Sequence, residues 1–400
     1  MLKLRPATVL ETRSLDAEAD ADADAGFAAG AQQRLVVELG RGGGGERREA
    51  IADVALVGRA EAGDEVIVNV QALDLGLGSG GFDIVHVNLT RGLDGEEDPS
   101  RARAHVMKLN YTSLQHAVEP VEEDVLELPG GRPVAVLALH GQLAGLAWAF
   151  AQGAPGARLG YVQTEGGALP GGHSRTVRTL RERGLLAGHL TSGSAFGGEG
   201  EAITTAGALH HGLRTLGWDA AVCGPGPGIV GSDTALGHGG MVALDSAHVA
   251  LALGCPTLLV ARMSSGDERA RHRGISHHSL TVLDLLLEPV TVALPAGMRS
   301  PVGADLRAGL GAVFAGARSS QPPSDRAAFA VEVGRPITDR PARIARHDWR
   351  RASVDLPAYA ASGLPAETMG RGLIADPLFF GAALAGGSVL AELASSGEAE

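Results

Sequence analysis

From Pro133 onward, short apolar runs rich in β-branched residues alternate with longer stretches of helical pattern, and the alternation holds to about residue 295. The strand candidates are Val134–Leu139, Arg158–Gln163, Gly188–Thr191, Ala220–Cys223, Thr257–Ala261 and Val290–Leu294. Helix-like runs lie between them at Leu143–Gln152, Ser174–Arg183, Glu201–Leu216, Met241–Leu253 and Ser279–Leu287. Strands alternating with helices predict βαβ units and a parallel sheet. Right-handed crossovers then put helices on both faces, which gives a Rossmann-like, doubly wound α/β domain over 133–295.

Before about residue 125 the pattern differs. Short strands are expected at Val9–Leu10, Arg34–Leu39, Glu49–Val57, Glu65–Val70, Ile84–Leu89 and Ala104–Thr112. The stretch AGDEVIVNV reads as a turn followed by a barrel strand, so residues 1–125 are expected to form a small, mostly antiparallel β-barrel. An acidic, low-complexity insertion (residues 16–25, DAEADADADA) reads as a solvated loop or, alternatively, a metal-binding or partner tail. Residues 296–340, rich in Pro, Ser, Gly and Arg, read as a partly flexible connection. Residues 341–394 carry one or two further α/β elements expected to pack on the central domain.

Composition narrows the function classes. With 44% hydrophobic and 20% charged residues the chain has a globular balance, and aromatics at 4% leave a core of Ala, Val and Leu. A net charge of −12 argues against duplex nucleic acid and against anionic lipid, because no basic excess exists to displace counterions. Two cysteines, Cys223 and Cys255, make no disulfide framework and fit a reducing, cytoplasmic setting. The first residues show no long apolar stretch, so no signal peptide is expected. The apolar segment from Pro133 to Ala154 is interrupted by His140, Gly141 and Gln142, which favours strand, turn and buried helix over a membrane span.

In an open parallel sheet, ligands bind where strand C-termini meet helix N-termini. Here those junctions are His140–Gln142, Thr164–Gly167, Gly193–Glu199, Cys223–Asp233 and Arg262–His278, each holding glycine or polar and ionisable residues. The run GPGPGIVG supplies Gly224, Gly226, Gly228 and Gly231, which let a backbone approach a ligand and aim N–H groups at an anion. Pro225 and Pro227 remove two such donors, and a rigid turn is the competing reading. It matches neither a Walker loop nor a dinucleotide fingerprint.

The segment RHRGISHHS places His272, His277 and His278 beside Arg271 and Arg273. Three histidines suit an open divalent-metal site that activates water, with Glu165 or Asp233 as an oxygen ligand. Alternatively, His272, Arg271 and Arg273 suit the binding of a phosphate or carboxylate. A capped helix start, with Ser276 as N-cap, is the structural alternative. Glu165, Asp233 and His272 are the candidate catalytic groups, and His140 a candidate ligand contact. Cys223 is read as a small buried hydrophobe in preference to a nucleophile, and His210 and His211 as surface or packing residues. Lys108, Asn110 and Tyr111 would complete the site only if the barrel covered the edge.

The stretches LDLGLGSGGFDIVHVNL, HVMKLNYTSLQ, LALHGQLAGLA, YVQTEGGALP, SAFGGEGEAI, GPGPGIVG, RHRGISHHSLT and TMGRGLIADPLFF span about residues 73 to 380. On them the chain resembles a bacterial domain-of-unknown-function family, numbered 3866. That resemblance implies a recurring protein type but no activity, substrate or catalytic residue.

The expectation is therefore an enzyme or ligand-binding protein acting on a small anionic or polar molecule at the C-terminal edge of the sheet. Metal-assisted hydrolysis at RHRGISHHS is its specific form, and a non-catalytic protein-binding or metabolite-sensing module the competing class. Small-molecule partners and a homo-oligomer fit this reading, whereas membrane and nucleic acid do not.

Overall fold

The computed structural model describes residues 2–14, 32–40, 44–75, 81–91, 104–167, 170–232, 234–296, 298 and 340–396. The acidic insertion, most of the 296–340 connection and Asp233 lie outside the described residues. By their contacts the residues divide into two compact units, Met1–Pro120 and Val121–Glu400.

The first unit is a closed five-stranded barrel. Its strands are β1 (Leu4–Ser14), β2 (Gln32–Leu39), β3 (Arg47–Asp53), β4 (Glu65–Asn69) and β5 (Asp83–Asn88), with helical turns α1 (Val54–Val57) and α2 (Gln71–Asp74). The order around the barrel is β1-β2-β3-β5-β4, antiparallel except for the parallel β3–β5 pair. Alternate residues of β2 (Leu35, Val37, Leu39) and of β4 (Val66, Val68) point inward and meet Val9 and Ala50 in one core. Closure leaves no strand edge to be paired by another chain. The Ala104–Thr112 stretch is strand only at β6 (Val106–Lys108), which pairs with β7 (His116–Val118) in a separate hairpin. Beyond β6 the chain turns, with Leu109 and Tyr111 at positive φ, so the run predicted from its pattern stops short.

In the second unit all six predicted strands are present. They are β8 (Val134–Leu137), β9 (Leu159–Thr164), β10 (Gly188–Ser192), β12 (Ala220–Pro225), β13 (Thr257–Val260) and β16 (Thr291–Pro295). Edge strands β11 (Gly200–Ala202) and β17 (Asp348–Ala352) extend them into an eight-stranded sheet, order β11-β10-β9-β12-β8-β13-β16-β17, with every pair parallel. β11 takes the first residues of the run read as helix from Glu201. The minor pairs are β14 (Met263–Ser264) with β15 (Gly274–Ile275), and β18 (Glu367–Thr368) with β19 (Arg371–Gly372).

Helices cover both faces. On one face α3 (Leu143–Gly153), α4 (Arg175–Glu182), α9 (Leu356–Ala361) and α10 (Pro377–Ser396) pack over Ala135, Leu137, Tyr161 and Val260. On the other, α5 (Thr205–His210), α6 (Val242–Ala252) and α7 (His277–Leu285) pack over Val134, Val136, Val162 and Leu259, with α8 (Arg340–Ala345) beside them. Strands buried on both sides need apolar residues at every position, as VAVL in β8 shows. Trp218 is fully buried where Gly160, Gly188 and Gly212 leave room for its ring; a Cβ on Gly160 would lie 1.9 Å from it. α10 is the one described helix long and apolar enough to cross a membrane, yet 72% of that apolar window is buried within the protein. It lies on α3 and is a core helix.

Candidate functional site

The order of connections decides where a crevice opens. From β8 the chain moves outward over α3 to β9 and over α4 to β10, then returns by α5 to β12 beside β8. It next crosses by α6 to β13 on the other side of β8. Connections leave β8 on one face and its neighbours β12 and β13 on the opposite face, so their loops diverge. The loops following β8, β12 and β13 carry the polar candidates.

After β13 the chain forms a compact excursion, residues 262–279. β14 and β15 pair antiparallel, Met263 opposite Ile275 and Ser264 opposite Gly274, which returns the chain to the start of α7. The Ser279 hydroxyl accepts the Arg262 backbone N–H at 2.8 Å, and the Ser276 N–H donates to the Arg262 carbonyl at 2.9 Å. Asp376, just before α10, holds the outer end: it accepts the Ser265 N–H at 2.7 Å and the Ser264 hydroxyl at 2.6 Å. A side chain far along the sequence thus fixes the excursion in place.

Within it His272, His277 and His278 converge, each offering one ligand atom within 4.8 Å of the others. Their ring centres are 5.0 Å apart for 272–277, 5.0 Å for 272–278 and 4.0 Å for 277–278. Three imidazoles on one tetrahedral ion at about 2.0–2.1 Å would set their ring centres on the order of 5 Å apart. His272 and His277 are buried, His278 half-buried, and His278 Nε2 faces inward without a hydrogen-bond partner among the described residues. His272 Nδ1 lies 2.9 Å from Ser276 Oγ, which leaves Nε2 as the nitrogen outside that contact. Burial, helped by the Arg262 charge, pushes His272 down to about 3. Burial and the neighbouring His238 push His278 down to about 2. These imidazoles are neutral, the form that binds metal.

His347 provides an internal contrast. It is equally buried, but Nδ1 accepts the Val290 N–H at 3.1 Å and Nε2 donates to the Leu283 carbonyl at 2.8 Å. His278 Nε2 lacks such a partner among the described residues, as do both ring nitrogens of fully buried His189.

Sequence spacing missed His238. It comes from the loop after β12, where Gly231 and His238 form an antiparallel bridge, and its ring stacks on His278 at 3.4 Å. Two rings that close are stacked, and His238 is not among the three histidines whose nitrogens converge. Burial pushes it down to about 4. The signal available was the HG pair in SDTALGHGG, but only the fold brings it to residue 278.

The glycine run has a packing role in this arrangement. A Cβ on Gly224 would lie 2.9 Å from the Leu137 Cβ, and one on Gly226 2.4 Å from the Gln163 amide. Gly231 lies against His238, and Gly228 is exposed at φ +81°. The loop after β9 meets it backbone to backbone: a Cβ on Gly167 would be 2.4 Å from the Gly226 carbonyl oxygen, and one on Gly239 2.4 Å from that of Gly166.

Arginines surround the histidines. Arg262 is buried, donates to Asp267 at 3.0 Å, and burial brings its guanidinium down to about 10. Asp267 also pairs with Arg269 at 3.0 Å; burial works to raise its carboxyl, but those partners hold it well below the usual range. Arg271 Nε is 3.5 Å from His272 Nε2, and Arg273 donates to the Asp267 carbonyl at 2.8 Å.

The remaining candidates lie apart from this cluster. His140 is buried on the α3 side, with Nε2 2.8 Å from Ser174 Oγ and Nδ1 3.3 Å from the Tyr161 hydroxyl. Tyr161 stacks on His189, and burial pushes His140 down to about 4 and His189 to about 3. Exposed Glu165 accepts the Ser194 hydroxyl at 3.2 Å and is not among the residues grouped with the histidines. Cys223 is fully buried, and that burial pushes its thiol up to about 12, as suits a core residue. His211 Nδ1 is 3.1 Å from Glu123. Lys108 and Tyr111 belong to the first unit, Lys108 buried and Tyr111 fully exposed.

Among protein families, residues 49–387 match the one described as protein of unknown function (DUF3866). No curated protein and no solved structure matches the chain.

Proposed function

The chain belongs to that family, DUF3866, whose description assigns no activity, and from the site we propose a metal-dependent hydrolase acting on a small polar or anionic molecule. The observation that carries the reading is the convergence of three buried or half-buried histidines with ring centres 4.0–5.0 Å apart. An imidazole-only set suits zinc, nickel, copper or iron better than magnesium or calcium. Three histidines with an open fourth position are the ligand pattern of hydrolytic zinc centres, where the ion polarises the scissile bond and activates water. In this chain His272, His277 and His278 hold the ion, and Ser276 orients His272. His238 closes one side of the site through its stack on His278.

The test is metal content of the full-length protein after zinc loading and desalting. One equivalent per chain is expected, falling to a trace in His277→Ala/His278→Ala and staying at one in His140→Ala. Wild type without stoichiometric metal, or a double variant that keeps it, would overturn the metal assignment. A panel of carboxyl and phosphoryl esters then tests hydrolysis. Bound zinc with no turnover, and none lost on chelation, would favour a metabolite-sensing module instead.

A further inference from the structure

The chemical class of the ligand is written in the charges around the three histidines. Residues 262–273 carry four arginines (262, 269, 271, 273) against Asp267 and Glu268, a net +2 in a chain whose total is −12. Arg269 and Arg273 are exposed and Arg262 pairs with Asp267, so most of this excess is solvated or offset; what remains is a locally positive setting that favours an anionic partner. A divalent ion on neutral histidines raises that excess to about +4, because imidazole ligands neutralise none of its charge.

Two guanidiniums are placed to meet that partner. Arg262 has a side chain only 6% exposed, and its Nε is a buried donor without a hydrogen-bond partner among the described residues, although its outer nitrogen pairs with Asp267. Its charge is felt by His238, His272 and His278 alike, which puts it beside the cluster. Arg271 reaches the ligand atom itself: its Nε is 3.5 Å from His272 Nε2, the nitrogen left for an ion by the Ser276 contact. An ion held on that nitrogen would take the place of this long contact and have the Arg271 guanidinium as a neighbour.

Resting on the metal reading, we propose that the site binds a phosphoryl dianion, with one oxygen on the ion and the others facing Arg262 and Arg271. A single carboxylate would offset one charge and offer two oxygens. A phosphoryl group offsets two and presents three, which matches an ion plus two planar donors. The substrate class is accordingly a phosphomonoester, or a small molecule whose terminal phosphate is the recognised group.

The test uses cobalt-loaded, full-length protein titrated with inorganic phosphate and, in parallel, with acetate. Visible absorption reports the coordination sphere, and cobalt content is measured separately. Phosphate is expected to change the cobalt spectrum saturably and at least tenfold more tightly than acetate. Arg271→Gln should weaken phosphate tenfold or more at unchanged cobalt stoichiometry. Arg262→Lys, which keeps the charge opposite Asp267, should weaken it while preserving the fold. Bound cobalt that ignores phosphate, or binds acetate equally well, overturns this inference and leaves the metal assignment standing. Failure of cobalt to bind overturns both.

Discussion

Ser276 holds two positions at once. Its hydroxyl accepts the His278 backbone N–H at 3.3 Å, as a cap for α7, and lies 2.9 Å from His272 Nδ1. Losing the cap costs about 1 kcal/mol of stability. Losing the orienting contact is a separate effect: partners of this kind contribute roughly 10–100-fold in metal affinity. Ser276→Ala is therefore expected to keep one zinc per chain at saturation but to bind it tenfold or more weakly, as competition with a chromophoric chelator would measure. Ser276→Thr, which keeps the hydroxyl, should recover most of the affinity. An alanine variant with wild-type affinity would mean that His272 is oriented by packing alone.

At the scale of elements, α10 and α3 show how the core is made without bulky side chains. Gly387 lies where a Cβ would be 2.2 Å from the Leu146 carbonyl oxygen, and Gly153 where one would be 2.8 Å from Ala391. The helices approach by backbone, so any added side chain must separate them. Overpacking of this kind costs typically 1–3 kcal/mol. Gly387→Val should lower the unfolding free energy by at least about 1 kcal/mol, seen as a lower urea midpoint followed through tryptophan fluorescence, which includes Trp148 on α3. Ala394→Val, near the end of the same helix, should have little effect. Equal tolerance at both positions would mean that α10 is not locked against α3. The same contacts explain what sequence could show of these elements. Central strands such as VAVL announce themselves because both faces are buried, and all six appear near their expected places. β11 (GEA) is an edge strand of three residues, so no apolar run marks it, whereas β17 (DWRRA) falls where a further α/β element is expected after residue 341. Likewise His272, His277 and His278 stand out as a local cluster within the Arg262–His278 junction, whereas His238 joins them only through strand order. His140 shares the edge in sequence but not the face, because α3 leaves β8 on the side opposite α7.

At the scale of the whole molecule, the histidines, the arginines around them and the Asp376 clamp all fall within Val121–Glu400. The segment opening that unit precedes the first sheet strand yet is tied into it. The Val121 N–H donates to the Glu201 carbonyl at 2.9 Å, and Glu122 accepts the N–H groups of Ile203 and Thr204 at 2.7 and 3.0 Å. Glu123 lies 3.1 Å from His211 Nδ1, and Glu127 pairs with Arg214. These contacts satisfy backbone donors at the approach to α5, a job that no residue after 132 takes over in the described structure. A chain of residues 121–400 is therefore expected to unfold cooperatively and to bind one zinc ion with the affinity of the full-length protein. A chain starting at residue 133 loses the Glu122 bonds; their donors sit on exposed residues and rehydrate, so each bond contributes roughly 0.5–1.5 kcal/mol. It should show a lower urea midpoint and faster amide exchange across Thr205–His210, while the metal site, on the other side of β8, keeps its stoichiometry. If residues 121–400 fold but bind no metal, the site needs something outside this unit, and the three histidines alone do not account for it.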